Sequence, residues 1–261
     1  MRYRGRAGFT VIELILIIVV FAGIMAAAFF VSHKHKATKS TQSSTVTVAK
    51  DVPLPLKSVG FNLDYYNPAT NMAGDMEFTE VDHGLSAHIH QIWQDFGQQD
   101  TRTTDTTKKN PQPVYVLPLH TKVHALVTGQ IVAVKQLYSH DYTIWTASSP
   151  SSHYIYETEH VDSPLVKVGD KVKGGQVIAE VSDKDSEITP GFGLLEIGIL
   201  YTAHNYPLHL CPYRYLDSSI KDDMNAKITA LHSSWEAYYG QKVYFENFVT
   251  PGCVSLTPVN G

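Results

Sequence analysis

The chain has 261 residues, 43% of them hydrophobic and 18% charged, with a net charge of −4 and two cysteines. This composition excludes collagen-like, disulfide-dense and disordered chains, and the mild acidity speaks against nucleic acid as a partner. The length admits one large domain or two small ones.

The whole-chain average conceals local bias. Arg2, Arg4 and Arg6 open the chain, and from 9 to 31 only Thr10 and Glu13 are clearly polar. Those 23 residues can cross a bilayer as a helix, for which about 20 suffice. Three arginines before the helix favour a cytoplasmic amino terminus, whereas Lys34, Lys36 and Lys39 beyond it oppose that bias. A secretory signal peptide is one alternative, with Ala26, Ala27 and Ala28 as its small-residue cleavage site, and an uncleaved signal anchor is another.

Gly8, Phe9, Thr10, Val11, Ile12 and Glu13 resemble the processing motif of type IV prepilins and pseudopilins. The resemblance implies a prepilin peptidase that cuts after Gly8 and methylates Phe9, with Glu13 at the fifth mature position. A carboxylate inside an apolar helix needs a partner, and in pilins that partner is implied to be a neighbouring subunit's amino terminus. The expected boundaries are a leader over 1–8, a transmembrane helix over 9–31 and a polar tether over 32–50. The tether departs from pilins, because 32–44 carries no apolar stripe. The bilayer, the prepilin peptidase and pilin-like subunits are the partners this end implies, and the rest is placed outside the cytoplasmic membrane.

Residues from Lys50 onward hold 15 Lys and Arg against 24 Asp and Glu, a net charge of −9. Outside the cytoplasm Cys211 and Cys253 are expected to pair as a disulfide. Residues 51–82 read as loop, and Asp64, Asn67, Asn71 and Asp75 are either calcium ligands or turn formers. Leu85, Ile89, Ile92, Trp93 and Phe96 share one helical face behind Asp82 as N-cap, so an amphipathic helix is expected within 51–111. On a helix His88 and His90 point about 200° apart and cannot grip one metal ion, whereas on a strand they could.

After a polar loop the pattern turns to short strands: 114–118, 123–127, 129–134, 142–145, 154–156, 177–181 and 194–200. Ile220, Met224, Ile228, Leu231, Trp235 and Tyr238 then mark an amphipathic helix in the last segment, 203–261. The expected fold is a membrane helix followed by a mostly β, α+β domain with flanking helices.

Two stretches, 119–134 (LHTKVHALVTGQIVAV) and 166–181 (VKVGDKVKGGQVIAEV), carry a second resemblance. They are similar to the halves of the duplicated hybrid barrel of lysostaphin-type, LytM-like zinc endopeptidases, over 112–202. Gly169 with Asp170, and Gly174 with Gly175, suit tight turns. The resemblance implies a His and an Asp before the first stretch, where 110–116 has neither, and an H-x-H segment where Phe192 and Leu194 stand. His160 is the one match, to a histidine that acts as a catalytic helper. No cofactor is then expected, zinc entering only if His88, His90, His204 or His209 rebuild a site. The function implied is a non-catalytic domain binding peptidoglycan, another glycan or a protein. The alternatives are an active zinc endopeptidase and a minor pilin or pseudopilin. Glu180 to Lys184 also resembles the lysine turn of lipoyl domains, but the hairpin spacing is too long.

Overall fold

The structure is a computed structural model, and it describes residues 51–79, 90–99, 105, 107–183 and 190–260. The chain divides into two units, Met1–Ala49 and Lys50–Gly261, and every described residue lies in the second. The expected leader and membrane helix, with Gly8, Phe9 and Glu13, lie outside the described residues, as do His88 and Lys184. Among the described residues no helix is long and apolar enough to cross a membrane.

Thirteen short strands and one α-helix carry the described fold. A two-residue hairpin, β1 (Met72–Ala73) and β2 (Met76–Glu77), stands apart. Its flanking side chains are spent on turns rather than on an ion. Asn62 N donates to Asp75 Oδ2 at 2.8 Å, Ala69 N to Asn67 Oδ1 at 3.0 Å and Tyr66 Oη to Asn71 Oδ1 at 2.9 Å. Asp64 faces Lys227 at 3.4 Å.

The other eleven strands form one antiparallel sheet. They are β3 (Trp93–Gln94), β4 (Val114–Pro118), β5 (Lys122–His124), β6 (Gly129–Gln136), β7 (Tyr142–Ala147), β8 (Tyr154–Asp162), β9 (Lys171–Val172), β10 (Val177–Val181), β11 (Phe192–Tyr201), β12 (Leu208–Leu210) and β13 (Val259–Asn260). All seven expected strands have a counterpart, with 123–127 shortened to Lys122–His124 and 154–156 extended to Asp162. The two stretches that resemble barrel halves interlock crosswise. β5 of the first pairs with β10 of the second, and β6 of the first pairs with β9 of the second. Gly169 at φ +96° and Gly175 at φ +84° turn the chain there, a region closed to most side chains.

The amphipathic helix expected to end near Phe96 is corrected over its described half. Trp93 and Gln94 pair with Tyr115 and Val114 of β4 instead. Gln91, Ile92, Trp93, Gln94, Asp95 and Phe96 are all buried, so this segment has no polar face for a surface helix to show water. Its apolar spacing came from burial on every side. The second helix stands as expected: α1 (Lys221–Tyr239) buries Ile228, Leu231 and Trp235 and ends on Gly240 at φ +79°. Phe78 meets Trp235 edge-on at 5.1 Å, and Trp93 meets Tyr115 at 4.5 Å, so aromatic contacts join the helix and the added strand to the core.

The expected disulfide is formed between Cys211 and Cys253. Around it the tail lies along the corrected segment, with Phe96 N donating to Gly252 O at 3.0 Å and Val254 N to Phe96 O at 2.9 Å.

Candidate binding site around His160

His160 lies near the end of β8, where the strand is irregular. Tyr142 faces Val161 and Ile144 faces Thr158, so Thr143 alone spans Glu159 and His160. This is a two-against-one bulge, and His160 takes φ +59° there. Bulges of this kind re-aim a side chain, and a non-glycine residue at positive φ is held by its surroundings at a cost of order 1–3 kcal/mol. The surroundings are acidic. His160 Nδ1 is 2.9 Å from Asp141 Oδ2, and Nε2 is 3.9 Å from Glu196 Oε1. Asp141 is fully buried in the β6–β7 turn and also accepts from Ser139 Oγ at 2.5 Å.

Burial works against a charge on His160. The Asp141 hydrogen bond and the charges of Glu196, Asp141 and Glu159 outweigh it and raise the imidazole to about 9. Burial likewise tends to raise Asp141, but the His160 and Ser139 hydrogen bonds outweigh it and hold the carboxyl below its usual range. At neutral pH the pair is therefore imidazolium and carboxylate.

The alternation Glu157, Thr158, Glu159 puts both glutamates on one face of β8. Glu159 is directly opposite Glu196 of β11, and Glu157 is opposite Gly198. Like charges facing each other across strands repel. Two features relieve this. His160 supplies a cation, and Gln112 Nε2 donates to Glu157 Oε2 at 3.1 Å and to Glu159 Oε2 at 3.2 Å. Trp145 Nε1 donates to the other oxygen of Glu157 at 2.5 Å. Burial first, and then the charge of Glu159, push the Glu157 carboxyl up to about 8, so it keeps its proton at neutral pH. Lys135 Nζ sits 3.6 Å from the centre of the Trp145 ring, a cation–π contact at the border of the patch.

Gly198 gives Gln112 its place: a Cβ there would lie 3.1 Å from both Cγ and Nε2 of Gln112. Gly198→Ala is expected to displace the amide from the two glutamates and to destabilise the domain by about 1–3 kcal/mol, the range for overpacking or for a buried polar group that loses its partner. Urea denaturation checks this, and an unchanged midpoint would contradict the bridging role.

The other sequence candidates do not converge on His160. The His90 ring stacks on Tyr239 at 5.0 Å, and its carbonyl accepts from Trp235 Nε1 at 2.7 Å. His204 is exposed beyond β11, edge-on to Tyr201 at 5.4 Å. His209 is buried on β12. Phe192 and Leu194 lie on β11, opposite Pro118 and Val116 of β4. Among the described residues no group of three or more His, Cys, Asp or Glu side chains is placed to hold a metal ion. A catalytic zinc needs three ligands with free lone pairs and an open position. Among the described residues Asp141 and Glu196 lie against opposite nitrogens of the His160 ring, 2.9 Å from Nδ1 and 3.9 Å from Nε2, instead of converging with it on one point.

Sequence reasoning missed Asp141, Glu157, Glu159, Gln112 and Trp145. The acidic alternation beside a histidine in the stretch 157–160 was the available signal. Asp141 had none, because only the bulge brings the turn to His160.

No protein-family model matches the chain, and no curated protein matches it. Solved structures give partial likenesses. LytU shares 21% identity over 43% of this chain and 74% of its own, with a TM-score of 0.37. The catalytic domain of a mutant of the prophage-encoded M23 protein EnpA from Enterococcus faecalis shares 19% over 45% and 85%, with a TM-score of 0.36. A zinc-containing peptidase from Vibrio cholerae shares 19% over 57% and 39%, with a TM-score of 0.35.

Proposed function

We propose that this chain is an exported, membrane-anchored protein whose β-rich domain binds cell-wall glycan, or peptide attached to it, without cleaving it. The supporting observation is His160 held between Asp141 and Glu196, with Nδ1 2.9 Å from Asp141 Oδ2 and Nε2 3.9 Å from Glu196 Oε1. A histidine in that position can neutralise carboxylates and orient a ligand, and its nitrogens face two separate carboxylates instead of a shared metal position. Phe192 and Leu194 stand where the endopeptidase resemblance calls for histidines. The partly exposed face of Glu159, Glu196 and Trp145 offers acceptors and an aromatic surface, a set suited to hydroxyl, amide and amine groups. Anchoring rests on the prepilin-like motif from Gly8 to Glu13 and the apolar run behind it.

The test uses the full chain, purified from membranes without chelator. Zinc content, co-sedimentation with purified peptidoglycan sacculi and release of free amines are measured together. Zinc well below one per chain, co-sedimentation and no amine release are expected. One zinc per chain, with amine release that His160→Ala abolishes, establishes the peptidase instead. The mass of the amino-terminal peptide is expected to show a methylated Phe9, and an intact Met1 in the membrane fraction contradicts processing after Gly8. Filament assembly, the other role of such an amino terminus, requires that Glu13→Ala block incorporation. Fractionation only as a membrane monomer removes that role.

A further inference from the structure

A second recess lies on the same face of the sheet. Alternation puts Glu196, Gly198 and Leu200 of β11 on one face, and the register continues from Leu200 to His209 of β12 and on to Val259 of β13. Leu200 lies four positions beyond Glu196, about 13 Å along a strand. There Leu200, Tyr206, Pro207, His209 and Asn260 line a pocket of 380 Å³.

Three features of this pocket define its chemistry. First, none of its lining residues carries a formal charge except through His209, and burial lowers that imidazole so that it is neutral. Second, His209 is only 7% exposed and its Nδ1 is sealed in the protein without a hydrogen-bond partner. His209 lines the pocket, which puts its imidazole beside any ligand held there. Third, Tyr206 is a large aromatic left 56% exposed at the rim, with the Asn260 amide nearby as both donor and acceptor. A flat aromatic surface beside uncharged hydrogen-bonding groups fits a ring with one apolar face and an edge of hydroxyl or acetamido groups. A carboxylate or ammonium would find no counter-charge in this lining.

We infer that this pocket is a saccharide subsite, in which Tyr206 stacks on a pyranose ring while His209 and Asn260 hydrogen-bond its edge. This names a ligand class for the glycan-binding reading above and rests on it. The spacing from the carboxylate patch matches a ligand longer than one ring, with the far ring in the pocket and the remainder over Glu196 and Trp145.

The test titrates the full chain, in a detergent without a sugar headgroup, with a β-1,4-linked N-acetylglucosamine disaccharide, followed by calorimetry and saturation-transfer NMR. Tyr206→Ala, at an exposed position, is expected to weaken binding about tenfold, the equivalent of losing one aromatic contact. Tyr206→Phe is expected to retain it, and His209→Gln to weaken it with an unchanged melting temperature. Saccharide binding that Tyr206→Ala leaves unchanged, or no binding, overturns the subsite. Competition by an uncharged apolar tripeptide amide at equal strength also overturns it, in favour of a peptide pocket. The sacculus assay separates the two levels. Sacculi bound without disaccharide binding remove the subsite and leave the broader reading. Disaccharide bound through Tyr206 without sacculus binding does the reverse.

Discussion

Asp141→Asn is expected to destabilise the domain by about 3–5 kcal/mol at pH 6.5, the range for removing one partner of a buried charge pair. Asp141 is fully buried, and its carboxylate holds the imidazolium 2.9 Å away. Asparagine keeps the shape and removes the charge. His160 then loses its main support, and Glu159 and Glu196 face each other with a weaker cation between them. The pH dependence gives the effect a signature. His160 is raised from 6.5 to about 9 in the folded chain. Its stabilisation is therefore fully present below about pH 6.5 and is lost as pH rises through 9, an effect of about 3 kcal/mol. The protonated Glu157, raised from 4.5 to about 8, loses stabilisation in the same direction, earlier in the rise. Urea denaturation of wild type and Asp141→Asn at pH 6.5 and pH 9.5 is the measurement. A large difference at the lower pH and a small one at the higher are expected. Equal differences at both contradict the ion pair.

Cys211→Ser with Cys253→Ser is expected to cost about 4 kcal/mol. The bridge closes a loop of sequence separation 42, and a cross-link of that span restricts the unfolded chain by about that amount. A domain of this size would melt about 10 °C lower. The effect should reach beyond the tail, because Cys253 and its neighbours hold Phe96 through the hydrogen bonds from Phe96 to Gly252 and from Val254 to Phe96. Scanning calorimetry with and without reductant checks this. The urea slope should also rise on reduction, since the unfolded chain then exposes more surface. A loss below about 1 kcal/mol would mean the tail is anchored by packing alone.

The fold was legible where one residue type carried one job. Val177 to Val181 and Leu194 to Leu200 alternate or run apolar between turn residues, and they are strands. Ile228, Leu231 and Trp235 recur at helical spacing and form the buried stripe of α1. Ile92, Trp93 and Phe96 recur at similar spacing in a strand-containing segment. Periodicity could not tell a helix with one buried face from a segment buried all round. The disulfide was expected from an inference of export and not from packing. At the site, His160 was found by resemblance, and its partners were not. Asp141 reaches it only because a bulge turns the ring toward the β6–β7 hairpin, and the role of Gln112 depends on the open space over Gly198. Both are properties of register, which a single sequence leaves open.

The most direct measurement is the titration of His160 in histidine-labelled full chain, followed by nitrogen NMR with and without one equivalent of zinc. A midpoint near 9, with both ring nitrogens protonated at neutral pH and no change on adding zinc, is expected of an imidazolium held by Asp141 and Glu196. A neutral ring at pH 7 whose nitrogen resonance moves on zinc addition would contradict it and restore a metal centre at this site.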